Sequence, residues 1–182
     1  LAPSFTHNLN QMQYVATAES GTDPRYIVGE IDQTTVRVSL RVTYMVTPNL
    51  SIQYWGQPFG TAGAYSNFKS ITQANATEYH QRYMALPAPT LSGDGSTYQV
   101  NNNQGLTDYT FNKPDFNFGQ FRSNMVVRWE YIPGSTLFLV WTQELNGAFY
   151  SAGTPDHRAY SFDATQQAHN VFVMKFTYRF VL

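Results

Sequence analysis

The chain has 182 residues, enough for one domain with a sizeable core. Its formal net charge of −1 argues against nucleic acid as a partner. Cysteine is absent, which excludes a disulfide framework and a thiolate metal site, and no run of eighteen apolar residues offers a transmembrane helix. Leu1 opens without a basic and then apolar leader, so no signal peptide is read there.

Taken in order, the chain alternates. Between 8 and 19, Asn10, Met12, Tyr14, Ala16 and Ala18 fall on one face and Gln11, Gln13, Val15, Thr17 and Glu19 on the other. Side chains alternate across a strand, so this predicts a first strand. The turn cluster Ser20-Gly21-Thr22-Asp23-Pro24 follows. Residues 25–46 predict a second strand. Val36, Val38, Leu40, Val42, Tyr44 and Val46 share one face, and Arg37, Ser39, Arg41, Thr43 and Met45 the other. Thr47-Pro48-Asn49 turns the chain into a third strand at 50–58, where Leu50, Ile52 and Tyr54 alternate with Ser51, Gln53 and Trp55.

Residues 59–117 are rich in Gly, Pro, Asn, Ser and Thr and read as one long loop, with a short helix near 77–86. Strands at 118–132 and 135–145 form a hairpin. Met125, Val127, Trp129 and Tyr131 point one way, Pro133-Gly134 makes the turn, and Leu137, Leu139 and Trp141 return on a single face. A second polar loop spans 146–168, and a last alternating strand covers 169–182.

The connections alternate between short (47–49, 132–135) and long (56–118, 146–168). Outer-membrane barrels have short inner turns and long outer loops. The expected fold is therefore all-β, an antiparallel up-and-down transmembrane barrel segment of about six long strands. Six strands leave two edges, so it is expected to be the C-terminal part of a larger barrel or to pair with other chains. A soluble β-sandwich also alternates, but it accounts less well for the loop asymmetry.

Four stretches are more specific. They are Arg41-Val42-Thr43-Tyr44 running into Thr47-Pro48-Asn49-Leu50-Ser51-Ile52-Gln53-Tyr54, then Gln57-Pro58-Phe59 with Gly63 to Lys69, then Pro114 to Asn117 leading to Ser123–Trp141, and the ending Asn170 to Phe180. Together they resemble the C-terminal region of the bacterial outer-membrane family labelled domain of unknown function 5916. Members of that family carry an N-terminal carbohydrate-binding module of the family-9 type before a large outer-membrane barrel. The resemblance implies a Gram-negative outer-membrane location and a last strand (Phe176, Tyr178, Phe180) read by the barrel assembly machinery. It implies no reaction. The expected partners are outer-membrane lipid, that machinery, other outer-membrane subunits or an N-terminal part of the same protein, and glycans.

Candidate chemistry follows from this picture. Arg37, Arg41, Gln53, Arg128, Glu130, Glu144, Lys175 and Arg179 are expected to line a lumen, either as a solute path or as a polar interior held by ion pairs. Tyr65, Tyr79, Tyr83, Tyr98 and Tyr109 offer flat rings for glycan stacking, or pack the loops together. The function expected is handling or passing glycan-like solutes. An anchor or scaffold subunit of an outer-membrane complex is the alternative, and a cell-surface glycan hydrolase a distant third. Asp94, Asp108, Asp115, Asp156 and Asp163 show no spacing that pairs two carboxylates for hydrolysis. His7, His80, His157 and His169 lack a second ligand at a metal-binding spacing, even with Asp156 beside His157. Ser92-Gly93-Asp94-Gly95 reads as a turn rather than a calcium loop. No cofactor is expected.

Overall fold

The computed structural model describes residues 1–20, 23–102, 105–147 and 167–180. Asp156, His157 and Asp163 lie outside the described residues, as do Val181 and Leu182. The chain is all-β. Among the described residues the strands are β1 (Ala2–Ser20), β2 (Asp23–Thr47), β3 (Leu50–Ile71), β4 (Tyr83–Ala85), β5 (Thr90–Leu91), β6 (Thr97–Asn101), β7 (Thr107–Asn112), β8 (Phe116–Ile132), β9 (Ser135–Asn146) and β10 (His169–Thr177). Where a short helix is predicted near 77–86, a single 3-10 turn at Tyr79–Gln81 precedes β4.

The strands form two sheets. The larger runs β1-β2-β3-β8-β9-β10, with β4 paired to β3, and the smaller is β5-β6-β7. Two compact units divide the chain. The first contains 1–6, 34–62 and 117–182, and the second 7–33 and 63–116.

The first unit contains parts of β1, β2 and β3 together with β8, β9 and β10 of the larger sheet. Its hairpin β8–β9 pairs Met125 with Trp141, Val127 with Leu139 and Trp129 with Leu137. Tyr131 is an extra residue between the pairs Glu130–Thr136 and Ile132–Ser135. Such a bulge sharpens the local twist just before the turn. The turn is Pro133-Gly134, with Gly134 at φ 84°. Proline presets the first corner and glycine reaches the left-handed region without steric cost. The Gly134 N–H donates to Glu130 Oε1 at 3.0 Å. This bond, followed by the Arg128 guanidinium 3.2 Å away, holds the Glu130 carboxyl below its usual range. A Cβ at Gly134 would also meet Arg179 Cδ at 2.6 Å. Gly134→Ala is therefore expected to cost about 1–3 kcal/mol in urea unfolding. An unchanged midpoint would show that the turn tolerates a side chain.

The second unit has two layers. Ala18 of β1, Ile27 of β2 and Phe68 of β3 face Val100 of β6 and Tyr109 and Phe111 of β7 across a buried core. Phe68 lies 5.1 Å from Tyr98 and 5.1 Å from Phe111, centroid to centroid. A Lys69 N–H bond to the Gln11 carbonyl and an Asn67 bond to Glu30 hold β3 beside its neighbours. Asn67 is, among the described residues, the one non-glycine at positive φ, 49°. At the tip between β5 and β6, Ser92 and Ser96 donate to Asp94, and these bonds lower its carboxyl to about 2.

The transmembrane barrel segment predicted from alternation is corrected by this topology. β1 and β10 stand at the ends of the strand order, so the larger sheet is open among the described residues. A hydrocarbon interior demands that every backbone group be paired within the protein. The closure on which the membrane reading rested is missing. The stretch 59–117, read as one outer loop, instead carries the rest of β3, then β4, and the whole second sheet. With the barrel go the expectations built on it. These are an outer-membrane location, contact with outer-membrane lipid and other outer-membrane subunits, recognition by the barrel assembly machinery, the handling of glycans or glycan-like solutes, and an anchor role in an outer-membrane complex. The surface glycan hydrolase set beside them loses its setting. The last strand also stops at Thr177 rather than running on to 182. The Arg179 N–H donates to Ser135 Oγ at 3.0 Å, and Tyr178 and Phe180 lie beyond the strand.

Candidate functional site

The face shared by β8, β9 and β10 is the most unusual surface of the first unit. Register places three apolar side chains abreast, three times. The rows are Met125–Trp141–Phe172, Val127–Leu139–Met174 and Trp129–Leu137–Phe176. Cross-strand neighbours on one face lie close enough to pack side by side. Trp141 stacks on Phe172 at 6.1 Å with a 4° interplanar angle, and Tyr131 stacks on Phe176 at 5.5 Å and 14°. The Trp141 Nε1–H donates to Asn170 Oδ1 at 2.9 Å, which fixes the indole. The Tyr131 hydroxyl donates to the Thr177 carbonyl at 3.1 Å, which ties the bulge to β10.

This face is open. β10 is exposed at each of its nine residues. Phe172, Met174 and Phe176 are 75%, 71% and 62% exposed. A shallow apolar depression of about 320 Å³ lies among Met125, Leu139, Trp141, Phe172 and Met174, and another of about 220 Å³ between Leu50, Trp129 and Leu137. The opposite face of the same strands is mixed. Arg122 pairs with Glu144 at 3.2 Å, Asn124 donates to Thr142 at 2.9 Å, and Arg128 pairs with Glu130. Hydrogen bonds from Asn146 and Arg122 hold the Glu144 carboxyl below its usual range.

The residues singled out in the sequence are distributed as follows. Arg41 and Gln53 gather with Thr43 and Asn124 around a cleft of about 220 Å³. Arg128, Glu130 and Glu144 form the local ion pairs just described. Arg37 and Lys175 are exposed on their strands, and Arg179 lies over the 133–134 turn. These residues lie on an open sheet and line no lumen.

Among the tyrosines, Tyr109 belongs to the second unit's core and Tyr98 packs against it. Burial, then the neighbouring Asp108 charge, raises the Tyr109 phenol. Tyr65 packs against that core and its backbone N–H donates to Asp115. Tyr79 and Tyr83 meet edge to face at 5.5 Å, with the Lys69 ammonium 5.2 Å from the Tyr83 ring centre. Among the described residues, no group of three or more His, Asp or Glu gathers that could hold a metal. His7 instead meets Asp32 at 2.7 Å.

Alternation in the sequence already marks the rows on β8 and β9. The alternation of the last predicted strand likewise puts Phe172, Met174 and Phe176 on one face, and the register that sets them beside Trp141, Leu139 and Leu137 comes from the structure. No family model, no curated protein and no solved structure matches the chain. The resemblance to the domain of unknown function 5916 family is therefore corrected. The motifs that suggested it are strand-and-turn patterns that an open antiparallel sheet uses equally well.

Proposed function

We propose that the chain is a binding module whose sheet is extended by another polypeptide, which adds as a strand along β10 and continues the apolar rows of β8, β9 and β10. It acts by association rather than by catalysis. The observation that carries this reading is β10 itself: among the described residues, a nine-residue strand at the end of its sheet, exposed throughout, with Phe172, Met174 and Phe176 at alternate positions. Strand addition draws its affinity from main-chain hydrogen bonds and its specificity from alternate side chains. Edge strands that must stay solitary are usually blunted by charge, proline or a bulge. β10 has one charged residue, Lys175, and no proline.

The test uses a synthetic peptide copying residues 136–143, the strand segment that already pairs with β10 in the structure. Amide hydrogen exchange across 169–177 is expected to slow by at least about tenfold when the peptide is added, since newly paired amides are protected. Exchange rates in β10 that do not respond to saturating peptide would refute strand addition.

A further inference from the structure

We infer that the cleft shared by β2, β3 and β8 on the mixed face of the first unit binds a small aromatic carboxylate, with the Arg41 guanidinium as its anchor and the Trp55 ring as its wall. This site stands apart from β10 and does not depend on strand addition there.

The first observation is charge. Arg122 and Arg128 share a face of β8 with Asn124, and each is paired with a glutamate 3.2 Å away. Arg41 reaches the same face, because it lines the cleft together with Asn124. Among the described residues, Arg41 has neither a carboxylate partner nor a side-chain hydrogen bond. No acidic side chain lines the cleft, so its lining carries one formal positive charge.

The second is an excess of donors. Thr43 and Gln53 stand beside Arg41 in the lining, and among the described residues their side chains also lack hydrogen-bond partners. The Thr43 Oγ1 has its backbone in the strand ladder but its hydroxyl free to donate. Asn124 is already committed to Thr142, at 2.9 Å. A planar guanidinium meets both oxygens of a carboxylate through two parallel N–H bonds. The Thr43 hydroxyl and the Gln53 amide then donate to the same anion.

The third is the wall. Trp55 is half-buried, and among the described residues its ring stacks on no other. Tyr54 lies against Gly56, where a Cβ would meet the Tyr54 hydroxyl at 2.9 Å, so the glycine leaves the room that this ring occupies. Flat aromatic surface is the complement of a flat aromatic ligand. The cleft holds about 220 Å³. Pockets for drug-sized molecules run roughly 300–1,000 Å³, so the occupant is smaller: one ring and its carboxylate.

The test uses benzoate at low ionic strength, followed by NMR at the Arg41 Nε–H and Trp55 Nε1–H. Both resonances are expected to shift and saturate, with a dissociation constant below about 5 mM. Benzamide, of the same shape without the charge, is expected to bind at least about tenfold more weakly. Arg41→Gln is expected to weaken benzoate at least about tenfold, and Arg41→Lys, which keeps the charge and loses the fork, at least about threefold. Arg37→Gln, on the same strand but outside the cleft, is expected to change nothing. Arg41 is exposed, so its variants are expected to keep the native spectrum. No saturable shift, equal binding of benzamide, or an equal loss from Arg37→Gln would each overturn the site. Inorganic phosphate binding as tightly as benzoate would overturn the aromatic carboxylate as its ligand. None of these outcomes bears on the exchange of β10, so this site and strand addition fail separately.

Discussion

Phe68→Ala is expected to lower the unfolding free energy by about 3–5 kcal/mol, the cost of emptying a buried aromatic site. The ring sits between the two layers of the second unit, against Tyr98 and Phe111. It also covers Gly29, where a Cβ would stand 3.1 Å from the Phe68 ring. The surrounding strands are hydrogen-bonded ladders that cannot collapse into the gap, so the lost contacts are not recovered. Urea unfolding gives the energy. Hydrogen exchange is expected to show the loss at residues 97–112 first, because β6 and β7 share one side of that core. A loss below about 1 kcal/mol would mean that the two sheets of this unit do not share a packed interior.

Gly63→Ala is expected to cost about 1–3 kcal/mol, and Gly63→Leu more, by crowding rather than by cavity. A Cβ at Gly63 would lie 2.6 Å from Phe116 Cε1 and 2.8 Å from Cζ, with Ile31 Cδ1 at 3.3 Å behind them. The Phe116 ring occupies the space that a side chain at 63 would need. The decisive measurement is a double-mutant cycle. Phe116→Ala is expected to relieve Gly63→Ala, so that the pair costs less than the sum of the singles. Additive losses would place the strain elsewhere.

How much of this was legible in the sequence depends on the segment. The hairpin of β8 and β9 was written plainly, since alternation from Ser123 to Trp141 and the Pro133-Gly134 pair define both strands and their turn. β3 was read only as far as Pro58. Gly56, Pro58, Gly60 and Gly63 resemble strand breakers, yet the strand continues to Ile71. Ala62 and Gly63 are buried in succession, so the burial pattern slips a residue and the period-two signal is lost there. β5, β6 and β7 are two to six residues long and carry Thr, Asn and Tyr rather than clean alternation. Their pairing is tertiary information.

The membrane reading failed for a related reason. Period two reports that a strand has two unlike faces, and it does not report what covers either one. Val38, Leu40 and Leu139 occupy the same sequence pattern whether the facing phase is lipid, a second sheet or another chain. The candidate site was half visible for the same reason: Trp129, Leu139 and Trp141 stood out, but only the register with β10 brings Phe172, Met174 and Phe176 beside them.

The strand order has a consequence for how the chain reaches its native state. β2 and β3 are joined by a tight turn, and β8 and β9 likewise, so those ladders assemble from neighbours within microseconds. The seam between β3 and β8 is different, because residues 72–115 intervene. Refolding is then governed by how quickly that excursion brings its ends together, a search that non-local pairing makes slow. Closure entropy grows only logarithmically, by roughly 0.6 kcal/mol per doubling of length. Residues inserted at the 92–96 tip would therefore slow formation of the seam and weaken the native state by similarly small amounts.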